Sequence, residues 1–351
     1  MKTKYIGLGI LAAVVVAAVA YVGIRQSRQV TEIQGYVGGE KIGFLEDTEV
    51  RDILRERYHL SIDYAKAGSI EMVTGDTEGQ DFLFPSNQTA LEWYEQAHGS
   101  PVKSEIIFNT PIVLYTRSAV ADALVQAQIA SQEDGVYYVD MQKLTEAIES
   151  GKTWADIGLP RLYGSVTVGT PDPVKSNSGN MFAGLLADTL CGGVADEGNI
   201  GAVLPRLQAI FQKLGYMESS SADLFDQFLK TGMGAKPLIA GYESQLLEFA
   251  VENPDTWQQI SDDIVMLYPT PTVWSSHVYL ALDEAGTAGI DALLDEEVQR
   301  LAWEKHGFRT GLYDTPSDAE HFGVSGVADT LTQVAPMPDA NTMNQILEAL
   351  G

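Results

Sequence analysis

The sequence is poor in cysteine and in positive charge. Cys191 is the one cysteine among 351 residues, so the chain can form neither an intrachain disulfide nor a cysteine-rich metal site. Lysine and arginine together number 22 against 48 aspartates and glutamates, which leaves a formal net charge of −26. A surface this acidic repels phosphate groups, which argues against binding to nucleic acid or to anionic membrane surfaces.

The sequence also lacks the motifs of common catalytic and metal sites. Its five histidines are scattered without ligand spacing, and it contains no P-loop, no GxGxxG after a strand and no GxSxG. Residues 100–103 and 230–232 spell the SxxK and KTG elements of penicillin-recognising enzymes, but the first leads into a β-like segment and the second ends a helix. We therefore predict a protein that is not an enzyme, with no catalytic residue, no metal site and no cofactor.

A long apolar run lies near the N-terminus. Residues 5–24 carry no charge and would be long enough, as a helix, to cross a bilayer. The flanking basic residues favour a cytoplasmic N-terminus with the rest of the chain exported. Residues 1–28 are therefore predicted to be a transmembrane anchor or a signal peptide cleaved after Ala20, followed by a polar tether over residues 29–38. Both alternatives predict an extracytoplasmic protein, tethered to the cytoplasmic membrane unless it is cleaved.

From Lys41 onward, short apolar segments alternate with amphipathic ones. This alternation is typical of an α/β fold with parallel, doubly wound sheets, in which ligands bind at the carboxyl ends of the strands. The amphipathic segments at 49–58, 89–97, 144–151, 180–190, 223–232, 245–253, 289–305 and 341–350 predict helices. The apolar segments at 41–46, 60–65, 81–84, 104–117, 164–173, 237–244, 263–269 and 273–282 predict strands.

Small polar residues follow several of the predicted strands and begin the next helix. Hydroxyl and amide side chains beside exposed first-turn amides can bind a small polar or anionic group, although the same residue types also serve as plain helix caps. Together these positions predict a ligand site: Ser69, Ser86, Asn87, Ser176, Asn177, Ser178, Tyr242 and Glu243.

These segments resemble the type II periplasmic solute-binding proteins, and most nearly their oxyanion-binding branch for molybdate, sulfate and phosphate. The resemblance spans residues 39–311 and rests on KIGFLEDTEVRDILRERYHLSID, AKAGSIEMV, FLFPSNQTA, FNTPIVLYTR, GTPDPVKSNSGNMFAGLLA, KPLIAGYESQLLEF and a closing GFRTG. It implies two α/β lobes joined by crossover strands, with a ligand in the cleft between them. Residues 39–117 and 272–351 would form lobe 1, and residues 118–271 would form lobe 2.

The resemblance implies the same site residues, and it adds Gly179 on the helix start and Thr110 on the crossover segment. Glu243 departs from the oxyanion pattern, since a carboxylate at the ligand suits a cation, a protonated oxyanion or an amino or hydroxyl group. The resemblance therefore leaves the solute open. It implies an extracytoplasmic protein that captures a small polar solute for an ABC-type transporter, with a permease or another membrane protein as partner. A membrane-anchored sensor or scaffold component with the same fold is the alternative.

Overall fold

The computed structural model describes residues 30–310 and 319–351. The predicted transmembrane anchor or signal peptide, residues 1–28, lies outside the described residues. Within the two described ranges, no helix is both long enough and apolar enough to cross a membrane.

The described residues fold into strands and helices that alternate along most of the chain. The strands are β1 (Thr31–Val37), β2 (Leu60–Lys66), β3 (Phe82–Phe84), β4 (Lys103–Arg117), β5 (Ala130–Glu133), β6 (Val136–Asp140), β7 (Leu238–Tyr242), β8 (Ile264–Thr270), β9 (Thr272–Ala281) and β10 (Val334–Ala335). The helices are α1 (Ile42–Glu46), α2 (Thr48–Arg57), α3 (Ser69–Thr74), α4 (Thr89–His98), α5 (Ser118–Gln126), α6 (Met141–Glu149), α7 (Asn177–Cys191), α8 (Ile200–Gln212), α9 (Ser221–Lys230), α10 (Glu243–Glu252), α11 (Pro254–Ile260), α12 (Glu284–Leu293), α13 (Glu296–His306) and α14 (Ala340–Leu350). Short 3-10 turns lie at Gly39–Lys41 and Glu320–Phe322.

The long strand β4 runs through both lobes, and β9 pairs with the first half of β4. In lobe 1 the strand order is β2-β1-β3-β9-β4, with β1 parallel to β2 and β3, and with β9 antiparallel to β3 and β4. In lobe 2 the far half of β4 pairs with β7 and β8, and β8 continues to β6 and β5. The predicted α/β class is therefore confirmed.

Three predictions about the secondary structure are wrong. Residues 31–37, predicted as a tether, form β1, because Ile33, Gly35 and Val37 alternate into the core and the strand pairs with β2 along its whole length. Residues 41–46, predicted as a strand, end the first 3-10 turn and form α1, since a short apolar run does not distinguish a strand from a buried helical turn. Residues 164–173 contain only isolated bridges, and Pro171 and Pro173 cannot donate to a ladder.

The predicted division places all residues from 272 onward in lobe 1. Some of these C-terminal residues instead pack in lobe 2. Helices α12 and α13 do pack in the lobe 1 core, with Ile290 and Leu301 fully buried there. In contrast, Phe322 joins a lobe 2 core, and α14 packs against α7 and α8 of lobe 2. The physical reason is the amphipathic face of α14, which fits the apolar surface of α7 and α8.

Candidate functional site

A cleft of about 620 Å³ lies between the lobes. Lobe 1 contributes the loops that follow β1 and β2, and lobe 2 contributes the first turns of α7, α9 and α10. These are the carboxyl ends of strands and the N-termini of helices, where an α/β fold places its ligands. The lining consists of residues 38–40, 43, 66–69, 71, 175–177, 219–223, 225, 242, 244, 245, 248, 249 and 252.

The first turn of α7 begins at the wall of this cleft. Ser176 precedes the helix in an extended conformation, and its side chain does not cap it. The Ser176 hydroxyl instead lies 3.2 Å from the Ser178 hydroxyl. No acceptor within the described ranges takes the backbone N–H groups of Asn177, Ser178 or Gly179. A helix with uncapped first-turn amides attracts acceptor or anionic groups of a ligand.

Asn177 connects the two lobes at the floor of the cleft. Its side-chain Nδ2 donates to the carbonyl oxygen of Ser86 at 3.0 Å and to the Tyr242 hydroxyl at 2.9 Å. Its Oδ1 accepts from the side-chain amide of Asn87. Asn177 and Tyr242 belong to lobe 2, whereas Ser86 and Asn87 belong to lobe 1. Polar residues predicted from three separate segments therefore meet at one point.

A side chamber of about 210 Å³ between α3 and α7 adjoins the cleft, and both are lined by Ser69 and Asn177. Asn180 also lines this chamber and is 1% exposed, and neither its Nδ2 nor its Oδ1 has a hydrogen-bond partner. A buried amide left unpaired costs about 1–3 kcal/mol, so natural proteins rarely keep one without a use. Asn180 was not predicted to be part of the site, because the sequence pattern does not distinguish the fourth residue of this helix from an ordinary buried position.

Several predicted site residues hold the loops around the cleft in place. The Ser69 hydroxyl accepts from the backbone N–H of Ser86 at 3.0 Å, and Asn87 Oδ1 accepts from the N–H of Ala90 at 2.7 Å. Thr110, fully buried on β4, accepts from the N–H of Ser244 at 3.1 Å and so fixes the start of α10. These bonds hold the loops in place.

Gly179 is required by packing. A Cβ atom at this position would lie 2.3 Å from the carbonyl oxygen of Pro171, so only glycine lets the first turn of α7 approach that loop. Ser178 is also buried, at 1% exposure. Both residues shape the helix start.

Glu243 lies behind the cleft, in contrast to its predicted place at the ligand. Its carboxylate is fully buried and accepts two hydrogen bonds from Arg309, at 2.6 and 2.8 Å, and a third from the Tyr268 hydroxyl. Arg309 also donates to the carbonyl oxygen of Ala328. The carboxylate is thus saturated by a buried ion pair, and it does not line the cleft.

A buried acid–base pair that the sequence analysis missed lies beside the cleft. Glu40 lines the cleft, and the next residue, Lys41, is completely buried. The Lys41 ammonium pairs with Glu40 Oε1, donates to the Ser86 hydroxyl at 2.7 Å and lies 3.2 Å from His277 Nδ1. Burial raises the pKa of Glu40, but the charge of Lys41 and hydrogen bonds from Lys41 and Ser86 outweigh it and hold this pKa at about 2. Burial, and then the charge of Lys41, lowers the pKa of His277 well below its usual value.

The remaining charges around the cleft are mostly negative. Besides Glu40, the lining includes four carboxylates and two ammonium groups: Glu71, Asp223, Glu248 and Glu252 against Lys66 and Lys175. Lys175 is in turn paired with Asp172 at 3.0 Å. Within residues 30–310 and 319–351, no three histidine, cysteine, aspartate or glutamate side chains are grouped so that they could hold a metal ion.

Comparison with family models and with curated sequences finds no match. The structure, however, is similar to many solved ones. It matches the sulfate-binding protein SubI of Mycobacterium tuberculosis H37Rv at 15% identity and a TM-score of 0.55, covering 90% of this chain and 96% of that one. It matches the substrate-binding protein of an ABC transporter from Agrobacterium tumefaciens at 12% identity and a TM-score of 0.56, covering 92% and 95%. It also matches a Trichodesmium protein (IdiA, FutA) in complex with iron and citrate, at 10% identity and a TM-score of 0.52, covering 91% and 97%.

The chain has the fold of the type II periplasmic solute-binding proteins. The resemblance predicted from the sequence motifs is confirmed at the level of the fold. Within this type II fold, the structure gathers the predicted residues into two groups. Ser69, Ser176, Asn177 and Tyr242 line the cleft, while Ser86, Asn87, Thr110, Ser178, Gly179 and Glu243 lie behind its wall.

Three parts of this cleft and its side chamber were not predicted from the sequence. Glu40 was missed because it lies between the predicted tether, which ends at residue 38, and the predicted strand, which begins at Lys41. Asn180 gave no signal beyond its place in the motif SNSGN. The run of three serines at 219–221 that begins α9 was a visible signal, since consecutive serines before an amphipathic segment are typical of a helix start.

Proposed function

We propose that the chain is an extracytoplasmic solute-binding protein, which captures a small polar solute between its lobes and delivers it to an ABC-type transporter. Proteins of the same fold support this proposal: one is named for sulfate binding, one is the substrate-binding protein of an ABC transporter, and one holds iron and citrate. At 10–15% identity, similarity to these proteins shows only that the fold is shared. The proposal therefore depends on the cleft itself.

The observation that carries the proposal is the unpaired amide of Asn180. It lies at the wall of a chamber that opens beside the uncapped first turn of α7. Donor and acceptor atoms of one side chain, together with the free amides of residues 177–179, match a solute with several polar atoms. In this proposal Ser69, Ser176, Asn177, Tyr242 and Asn180 contact the solute, and Ser86, Asn87 and Thr110 hold the loops.

The proposal places a permease, or another membrane protein, opposite the two lobes as the partner of the loaded protein. The apolar segment at residues 5–24 would tether the binding domain to the cytoplasmic membrane unless it is cleaved after Ala20. The acidic composition gives no support for a nucleic-acid partner.

A sensor or scaffold role is the second candidate, and one observation favours it. The segment around α14 joins the lobes through apolar contacts, with Met343 and Ile346 fully buried in a core that includes Trp93 of lobe 1. Such contacts restrict opening, which suits a protein that reports a bound solute more than one that releases it. Permease and ATPase genes beside this gene would support transport, and genes of signalling type would support sensing.

The proposal is tested by thermal unfolding of the full chain in mild detergent, followed by tryptophan fluorescence, against a library of oxyanions, amino acids, sugars and metal ions. We expect one class to raise the unfolding temperature by several degrees, because a ligand that binds only the folded state stabilises it. A flat response to the whole library would contradict the proposal.

Asn180→Leu sharpens this test. Replacing an unpaired buried amide by an apolar side chain of similar shape removes its desolvation cost, so the variant should be at least as stable as the wild type without solute. It should nevertheless lose the shift with solute, as should the double variant Ser176→Ala, Ser178→Ala. Ser131→Ala, an exposed serine on β5, is the matched control and should keep the full shift. A full shift in Asn180→Leu would mean that the chamber is not part of the site.

A further inference from the structure

The position of Glu40 sets one chemical condition on any solute in the cleft. Glu40 lies in the 3-10 turn at the carboxyl end of β1, and its side chain is 12% exposed, whereas that of Lys41 is fully buried. The turn thus directs one charge to the cleft and the opposite charge into the core. A buried ammonium is costly unless it is paired, and Glu40 is the carboxylate that pairs with it.

The two oxygens of the Glu40 carboxylate have different surroundings. Oε1 accepts from the Lys41 ammonium and from the Ser86 hydroxyl. Oε2 has no hydrogen-bond partner within the described part of the chain, although an ionised carboxylate oxygen can accept two. Gly38 lets the carboxylate lie this close, since a Cβ there would be 2.4 Å from Oε1 and 2.8 Å from Oε2. Lys41 and Ser86 therefore fix an ionised group whose second oxygen remains available at the cleft.

Glu40 and the first turn of α7 offer opposite chemistry. Glu40 on lobe 1 offers a negative acceptor, and Glu248 and Glu252 of α10 add two carboxylates to the cleft from lobe 2. The first turn of α7 on lobe 2 offers N–H donors at the positive end of a helix of 15 residues, next to the Asn180 amide. A fully ionised inorganic oxyanion would suit the α7 side and be repelled by Glu40. A solute with separate charges of both signs suits both sides.

We infer that the cleft selects a small zwitterionic organic solute, whose protonated amino group binds Glu40 Oε2 and whose acidic group binds the first turn of α7 and Asn180. Glu40 is then the residue that determines specificity against inorganic oxyanions. This inference rests on the proposed function, because it assigns a solute class to the same cleft.

The test is isothermal titration calorimetry of the full chain in mild detergent with four sets of probes. These are the standard L-amino acids, the simple amines ethanolamine and putrescine, the oxyanions sulfate, molybdate and phosphate, and calcium chloride. We expect at least one amino acid to bind, with the amines and the oxyanions at least about 30-fold weaker, because each lacks one of the two charges.

Variants then assign the amino group to Glu40. Glu40→Gln alone would leave Lys41 buried without its counter-charge, so the double variant Glu40→Gln, Lys41→Met removes both charges, and circular dichroism verifies that it folds. We expect the double variant to bind the amino acid at least about 100-fold more weakly. Glu32→Gln removes an exposed carboxylate of β1 that does not line the cleft and should change the affinity by less than about 3-fold.

The outcomes separate this inference from the proposed function. Tight binding of sulfate, molybdate, phosphate, an amine or calcium without binding of any amino acid would overturn the zwitterion assignment while a solute-binding role stands. Unchanged amino-acid affinity in the folded double variant would overturn the role of Glu40. Binding of no probe, together with a flat thermal response to the wider library, would overturn both.

Discussion

Asn177 and Met343 both lie where the two lobes meet, but in opposite surroundings. Asn177 is half-buried at the cleft floor, and its side chain forms hydrogen bonds to Ser86 and Asn87 of lobe 1. Met343, on α14, is fully buried in an apolar core that contains residues of both lobes, among them Trp93. Hydrogen bonds can be exchanged for bonds to water or to a solute at little net cost, whereas an apolar contact that separates must be hydrated.

This contrast indicates which of the two contacts between the lobes can open. The segment before and within α14 is also bonded to α4 of lobe 1: the N–H of Ala340 donates to Glu92 at 2.8 Å, and the Trp93 indole donates to Asn344 at 2.9 Å. We therefore expect the lobes to remain joined along α14 and to separate, when they do, at Asn177.

The largest effect is expected from the apolar contact. Met343→Ala or Ile346→Ala removes a fully buried side chain and should lower the free energy of unfolding by about 2–5 kcal/mol, because the cavity left behind closes only in part. Urea denaturation followed by tryptophan fluorescence measures the loss. Leu350→Ala, at the half-buried end of the same helix, is the control and should cost clearly less. A loss below about 1 kcal/mol in both core variants would show that α14 does not join the lobes.

The second effect concerns Asp188, which is on α7 beyond its cleft-facing first turn. It is 3% exposed, Oδ1 accepts from the N–H of Ala195, and Oδ2 has no partner. Burial raises the pKa of this carboxyl from 3.8 to about 7. The folded state therefore holds the proton more tightly than the unfolded state, so the stability that this group contributes is full below about pH 4 and is lost as the pH rises to about 7.

Asp188→Asn should remove that pH dependence. Across this window the raised pKa of Asp188 should lower the free energy of unfolding of the wild type by up to roughly 4 kcal/mol, at 1.36 kcal/mol per pKa unit. Between about pH 4 and about pH 8, the free energy of unfolding should fall less in Asp188→Asn than in the wild type. Asp122→Asn, on an exposed position of α5, is the matched control and should follow the wild type. Equal slopes for all three proteins would contradict the raised pKa.

The smallest effect on stability, and the sharpest on binding, is expected at the cleft floor. Asn177→Ala removes three hydrogen bonds at a partly hydrated position, so the free energy of unfolding should fall by only about 1 kcal/mol. The affinity for the cleft solute should fall by at least about 10-fold, because Asn177 lines the cleft and orients Tyr242. A stability loss as large as that of Met343→Ala would remove the distinction between the two contacts.

Most of the fold was predictable from local patterns. The helices α4, α7 and α10 and the long strand β4 all carry an apolar period or run that matches their burial. The failure at β1 has a different cause from the failure at α1. Gln34 and Glu32 make β1 look like a linker, and its parallel pairing with the distant segments β2 and β3 makes it a strand.

The site was predictable where it is made of helix starts, and not where it depends on contacts between distant segments. Ser69 follows from its place after a strand, and Ser176 and Asn177 follow from their place at a helix start. The saturation of Glu243 by Arg309, however, joins residues that are 66 positions apart. Likewise, Lys41 meets His277 across 236 positions, which no local pattern indicates. Whether a charged side chain can be buried depends on which residue pairs with it, and that residue is known only from the tertiary structure.

The central claim is that a solute binds between the lobes, at Glu40 and the first turn of α7, while the α14 contact stays closed. Hydrogen–deuterium exchange of the full chain, with and without the solute that gives the largest thermal shift, tests it most directly. The account predicts slower exchange at residues 38–41, 68–71 and 176–180 with solute present, and equal exchange of α14 in both states. Protection confined to the second cavity of lobe 2, which is lined by Asp140, Asp188 and Thr270, would contradict it.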